Sequence, residues 1–187
     1  MHLHILGAAG TGVTTLGLAL AQQLNIPYFD SDDYFWIPSD PPFTIRRDPA
    51  ERNAAIRRDL DKAGNWILGG SIIHWGEKVF PPFDLIVFCW LPPAIRMDRL
   101  KAREHSRYGD VIFTDPDRNK QYMTFLAWAA GYDNATGIAN RTLDAHEQWL
   151  QTQGAPILEI REDLTTEDRL QLIRGKINAA PQVEPEP

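Results

Sequence analysis

The sequence predicts an α/β domain in which helices cover both faces of a five-stranded parallel sheet. Short apolar runs stop abruptly at a glycine or proline: Leu3–Leu6 before Gly7, Trp66–Leu68 before Gly69, and Leu85–Leu91 before Pro92. Such runs suit strands buried on both faces of a parallel sheet. Helical stretches separate them, as parallel crossovers require. The 187 residues, 43% hydrophobic and 24% charged, are enough for one such domain with a full core.

In chain order, Leu3–Leu6 is the first strand and Thr15–Leu24 the first helix. Pro27–Phe29 is the second strand, followed by the acidic run Asp30, Asp32 and Asp33. Ile37–Phe43 holds three prolines and reads as a loop. Asp48 caps a helix that reaches about Ala63, with Pro49 at its favoured first position and Gly64-Asn65 as its stop. Trp66–Leu68 and Leu85–Leu91 are the third and fourth strands. A helix opens at Pro92-Pro93, and the polar stretch Glu104–Lys120, with Gly109 and Pro116, reads as a mobile segment. Helix resumes from about Gln121 to Leu150, broken near Gly131 or Gly137. Ile157–Ile160 is the fifth strand, and Thr165 caps a closing helix over Thr165–Ile177 with Asp168 in its first turn. The end, Ala180–Pro187, is acidic and proline-rich and is expected to be disordered.

Composition excludes some roles. A net charge of −6 and a pI near 5.3 argue against a nucleic-acid or anionic-membrane binder. No apolar run reaches the ~20 residues of a membrane span, and Met-His-Leu-His lacks the basic start of a signal peptide. The single cysteine, Cys89, leaves no internal disulfide and suits a cytoplasmic protein; its place in an apolar strand marks it as structural.

The loop after the first strand carries the main chemical signal. It reads Gly7-Ala8-Ala9-Gly10-Thr11-Gly12-Val13-Thr14-Thr15. The P-loop pattern is Gly, four residues, Gly, Lys, then Ser or Thr. Gly7, Gly12 and Thr14 match it, and Val13 stands at the lysine position. Glycines let successive N–H groups turn into one hollow, and the dipole of the next helix adds to its attraction for phosphate. A nucleoside triphosphate such as ATP, with Mg²⁺ on the Thr14 hydroxyl, is the expected ligand. A valine cannot stabilise the charge of a transferring phosphoryl group, so another cation has to.

Arginines offer that charge. Arg99, Arg103 and Arg107 are four apart and share one helical face, with Arg96 beside Arg99. Such a row is either a clamp for transferring phosphate or a solvated face paired with Asp98 and Glu104. On the acceptor side, Asp30 and Asp32 alternate by two residues, so extended backbone points them the same way, as a divalent cation or a hydroxyl acceptor would need. The Asp-Ser-Asp-Asp run is also a good helix-capping cluster. His74 and Trp75 either line the acceptor pocket or pack; His2 and His4 read as structural, Trp128, Tyr132 and Trp149 as core, and Asp133, Arg141 and His146 as solvated faces.

Together these motifs resemble the nucleoside-monophosphate kinase superfamily, which includes adenylate, shikimate and gluconate kinases. The likeness is greatest to bacterial adenylate-kinase-like proteins of unassigned substrate, through the lysine-less loop, Asp32-Asp33-Tyr34-Phe35-Trp36 and Trp66-Ile67-Leu68-Gly69-Gly70-Ser71. It extends from Met1 to about Lys176 and implies a P-loop three-layer fold over residues 1–179 with a mobile lid at about 104–120. The resemblance implies ATP-dependent phosphoryl transfer to a small acceptor, a nucleotide or hydroxy metabolite. It puts Asp30 near Mg²⁺, Asp32 at the acceptor, Arg103 and Arg107 on the lid, and Arg99 near the nucleotide base. Pro38–Arg47 falls in the acceptor region, with Arg46, Arg47, Arg57 and Arg58 as its cations. Val13 and Gly69 depart from the family pattern, and the alternative they raise is a nucleotide-binding regulatory protein that has given up transfer.

Overall fold

A computed structural model describes residues 1–76, 78–134 and 140–179 of the chain. The expected tail at 180–187 and the expected break at Gly137 lie outside the described residues. Five parallel strands form the main sheet: β1 (His2–Gly7), β2 (Tyr28–Asp30), β5 (Trp66–Gly69), β6 (Leu85–Cys89) and β7 (Ile157–Ile160), in the order β2-β5-β1-β6-β7. A short antiparallel hairpin, β3 (Trp36–Ile37) with β4 (Ile45–Arg46), stands apart from it. The helices are α1 (Val13–Leu24), α2 (Ser31–Phe35), α3 (Pro49–Ala63), α4 (Pro93–Tyr108), α5 (Val111–Thr114), α6 (Pro116–Asn134), α7 (Leu143–Gln151) and α8 (Thr166–Asn178).

Alternation along the strands builds the layers. Leu3, Ile5, Ile67, Leu85 and Val87 face α1 and α8, meeting Leu16, Leu20, Leu170 and Ile173. On the other face, Trp66 and Leu68 meet Ile56 and Leu60 of α3, while Leu6, Ile86 and Phe88 meet Leu150 of α7. A satellite core of Leu100, Ile112, Tyr122, Leu126 and Ala129 ties α4, α5 and α6 together. Cys89 is buried, and that burial pushes its thiol up to about 11, so it is an inert core residue.

Local signals explain the ends of the helices. Asp48 accepts from the N–H groups of Ala50 and Glu51 ahead of α3, and Thr165 accepts from the N–H of Asp168 in α8. The stretch read as a mobile polar segment, Glu104–Lys120, is instead helical over most of its length. Gly109 ends α4 with φ 66°, and Pro116 begins α6. The helix expected from Gln121 starts earlier, at Pro116, and passes through Gly131.

Candidate active site

Strand register brings the candidate residues to one rim. Gly7 pairs with Cys89, and Asp30 with Gly69, so the loops after β1, β2, β5 and β6 leave the sheet together. The phosphate loop between β1 and α1 turns through Gly10 (φ 91°) and Gly12 (φ 90°), a conformation that side-chain-bearing residues rarely adopt. The Thr11 hydroxyl donates to Ala8 O at 2.8 Å, and the Thr11 N–H to the same oxygen at 3.1 Å. Val13, Thr14 and Thr15 form the first turn of α1, with Thr14 and Thr15 exposed.

Asp30 and Thr14 meet: the Thr14 hydroxyl donates to Asp30 Oδ2 at 3.1 Å, and the Tyr28 hydroxyl donates to the same oxygen at 3.0 Å. Asp30 also caps α2 by accepting from the N–H of Asp32 at 3.0 Å, so the carboxylate expected beside Mg²⁺ is also a helix cap. Among the described residues no three His, Cys, Asp or Glu side chains converge on a metal position. Two hard oxygen donors beside a phosphate loop fit Mg²⁺, which takes one or two carboxylates and completes its shell with phosphate and water. Gly69, a departure from the family pattern, has a local reason. A Cβ there would lie 2.0 Å from the Tyr28 hydroxyl, so the missing side chain makes room for the phenol that holds Asp30.

Asp32 lies in the first turn of α2, open to the cleft but crowded around its base. Loss of surrounding water and then the Asp30 charge push its carboxyl above the usual aspartate range, while Arg141 and Arg103 pull it back. Arg141, expected on a solvated face, is half-buried, with its guanidinium 5.0 Å from the Phe35 ring. Two more arginines share that ring. Arg46 lies 5.7 Å and Arg52 6.0 Å from its centre, and Arg52 also stacks 3.9 Å over Trp75. None of the three forms an ion pair among the described residues. Burial and then the Arg141 charge lower the pKa of Arg52.

The other expected acceptor cations point elsewhere. Arg47 donates to Tyr34 O and is structural, whereas Arg57 and Arg58 are exposed and lie beside Asp61 and Asp59. Trp75 is buried under Arg52, and His74 is exposed. Arg52 was legible in principle, because it shares the 52–56–60 stripe of α3 with Ile56 and Leu60. Arg141 follows no periodic pattern.

The arginine row of α4 divides. Arg96 is fully buried, donates to Ala9 O and Ala129 O, and pairs with Asp133 at 2.5 Å; it is a structural group. Asp133 is therefore an internal counter-charge instead of a solvated residue. Arg99 bridges to Asp163 at 2.6 Å, in the loop after β7. Arg103 pairs with Glu104 and lies 5.9 Å from the Phe125 ring; Arg107 is exposed beside Tyr108. His146, also expected in solvent, is buried between the Ser71 and Tyr132 hydroxyls at 2.8 Å each.

No family model matches the chain. It is 39% identical over 169 residues to the uncharacterized protein YqaC of Bacillus subtilis (strain 168), covering 90% of this chain and 93% of YqaC. The chain belongs to the YqaC family. Its fold is that of P-loop kinases. A deoxyadenosine kinase from M. mycoides superposes with TM-score 0.54 at 15% identity, covering 96% of this chain and all of that one (100%). A sugar kinase from Janibacter sp. HTCC2649 gives 0.55 at 12% identity over 96% and 95% of the two chains. A gluconokinase from Sinorhizobium meliloti 1021 gives 0.52 at 12% identity over 95% and 91%. No described helix is long and apolar enough to cross a membrane.

Proposed function

We propose that this YqaC relative transfers a phosphoryl group from ATP to the hydroxyl of a small anionic acceptor. The observation that carries the reading is the pairing of two neighbouring sites: the loop at Gly7–Thr15 for the nucleotide, and, for the acceptor, Asp32 near Arg141, which shares the Phe35 ring with Arg46 and Arg52. Backbone N–H groups of the loop bind the phosphates, and Thr14 with Asp30 would hold Mg²⁺. When bound, that ion neutralises charge on the phosphates. Arg46, Arg52 and Arg141 bind the acceptor's phosphate or carboxylate, which relieves their mutual repulsion. Asp32 orients the acceptor hydroxyl and takes its proton as the bond to phosphorus forms. Arg103 and Arg107 close over the phosphates and exclude water.

A screen of nucleoside monophosphates and small hydroxy acids with MgATP tests the proposal directly. Transfer to an anionic acceptor is expected, and MgATP or MgADP should raise the melting temperature, since a ligand of the native state stabilises it. Gly12→Val should abolish that shift, because it puts a branched side chain on a φ of 90°. Asp32→Asn should lower transfer far more than ATP affinity. Nucleotide binding with no transfer to any acceptor would favour the switch reading that Val13 raises.

A further inference from the structure

Two buried arginines grip the phosphate loop from outside. Arg96 of α4 donates Nη1–H to Ala9 O at 3.2 Å, and Arg169 of α8 donates Nη1–H to Thr11 O at 2.7 Å. In a planar trans peptide the carbonyl and the following N–H point in opposite directions. Holding the Ala9 and Thr11 carbonyls outward therefore turns the N–H groups of Gly10 and Gly12 inward. Arg99, paired with Asp163, links the same two flanks one helical turn away.

The two grips differ in charge. Arg96 is neutralised by Asp133, which also accepts from Trp90 Nε1. Arg169 is only 4% exposed and, although each arginine leaves its Nε without a hydrogen-bond partner, Arg169 alone of the two forms no ion pair among the described residues. A buried cation without a counter-charge is destabilising until one arrives. Its guanidinium lies behind Gly12, with Nη1 3.5 Å from where a Cβ on that glycine would be. The next residue is Val13, where the loop pattern has lysine.

We propose that Arg169 supplies the fixed positive charge of the phosphate loop in place of the missing lysine, with the phosphate chain of a nucleoside di- or triphosphate as its counter-ion. It is a positioning residue, acting through the Thr11–Gly12 peptide and the field behind it. The inference rests on the nucleotide-binding half of the proposed function.

Calorimetric titration of MgADP and MgATP into wild type, Arg169→Lys, Arg169→Gln, Val13→Lys and Val13→Lys/Arg169→Gln tests it. Lysine keeps the charge; glutamine keeps a donor for Thr11 O without it. Affinity should stay within about threefold in Arg169→Lys and fall about tenfold or more in Arg169→Gln. Val13→Lys should recover most of that loss in the Arg169→Gln background, yet change wild type by less than about threefold. Equal losses in the lysine and glutamine variants, or equal gains from Val13→Lys in both backgrounds, would overturn the proposal. If neither Arg169 variant folds, Val13→Lys alone decides: a gain above about threefold shows that the loop lacked a charge and overturns it, and a smaller change supports it. A wild type that binds no nucleotide would remove the proposed function and this inference together, whereas nucleotide binding indifferent to charge at 169 removes only the inference.

Discussion

The phenol of Tyr28 ties several residues of the site into one unit. Its ring fills the space left by Gly17 and Gly69, where a Cβ would come within 2.2 Å and 2.0 Å of its atoms, and its hydroxyl donates to Asp30. Gly69→Ala should therefore cost about 1–3 kcal/mol by overpacking and also weaken Mg²⁺-dependent nucleotide binding; denaturant unfolding and magnesium titration read the two effects separately. Tyr28→Phe keeps the packing and loses the hydroxyl, so it should cost only about 1 kcal/mol. Across the cleft, the charge of Arg141 opposes the upward shift of the Asp32 carboxyl. If Asp32 must be ionised to act, the acid limb of kcat/KM lies above the ordinary aspartate range, and Arg141→Gln moves it to higher pH. A limb that stays in place while KM for the acceptor rises would leave Arg141 as an acceptor ligand without influence on Asp32. These side chains show what sequence conveys and what it withholds. Gly7, Gly12 and Thr14 were visible because the phosphate loop is local and its spacing is fixed by backbone geometry. Arg52 and Arg141 are 89 positions apart and meet only over Phe35, a non-local arrangement that no spacing rule reports.

The same division holds for whole elements. Caps at Asp48 and Thr165 and the apolar strands were readable because their determinants lie within a few residues of one another. The helices of 104–120 are hard to read from sequence because its punctuation is ambiguous: Gly109 and Pro116 look like a loop, yet here one closes α4 and the other opens α6. What folds the stretch is the remote contact of Ile112 and Tyr122 with Leu100. Within this helical layer Arg103 forks onto the buried Glu104 carboxylate and lies 5.9 Å from the Phe125 ring, while Arg107 is exposed beside Tyr108. Arg107 forms no ion pair among the described residues and is free to swing toward a nucleotide, whereas Arg103 has to leave the Glu104 carboxylate to do so. Between the hairpin turn at Asp40-Pro41 and the start of α6 lies an open cleft of about 420 Å³. Arg103→Ala and Arg107→Ala should depress transfer by about 10³-fold or more, as loss of an arginine at transferring phosphate does, with ADP affinity falling less than about tenfold. Single-turnover transfer and ADP titration separate the two quantities; an unchanged transfer rate in both variants would take these arginines out of the mechanism.

Across the whole molecule, two buried histidines tie the sheet to the helical layer packed on it. His4 of β1 donates Nδ1–H to Leu68 O at 3.0 Å and packs on Phe83 and Trp149. His146 of α7 links Ser71, beyond β5, to Tyr132 of α6 and meets the Phe88 ring edge-on. Burial holds both neutral: it lowers His4 to about 4 and His146 to about 3. The sign of the linkage follows. Below the unfolded value of 6.5 the unfolded chain takes up protons at both positions and the native chain does not, so acid favours unfolding. Stability should be fully present above pH 6.5 and fall on acidification toward pH 4, with each histidine contributing up to about 1.4 kcal/mol per pH unit. Asp32 and Asp33, whose carboxyls are raised, work in the opposite sense, and measuring in an Asp32→Asn/Asp33→Asn background removes their contribution. Urea unfolding of that variant between pH 7 and pH 4.5 should give a steep loss of ΔG. Adding His146→Gln should lower stability at neutral pH, because the buried ring and its edge-on contact with Phe88 are lost, and should reduce the slope by about half. A flat profile from pH 7 to pH 5 would mean that both imidazoles take up protons in the native state as they do in the unfolded chain, which would place a positive charge at His146, close enough to Arg141 to repel it.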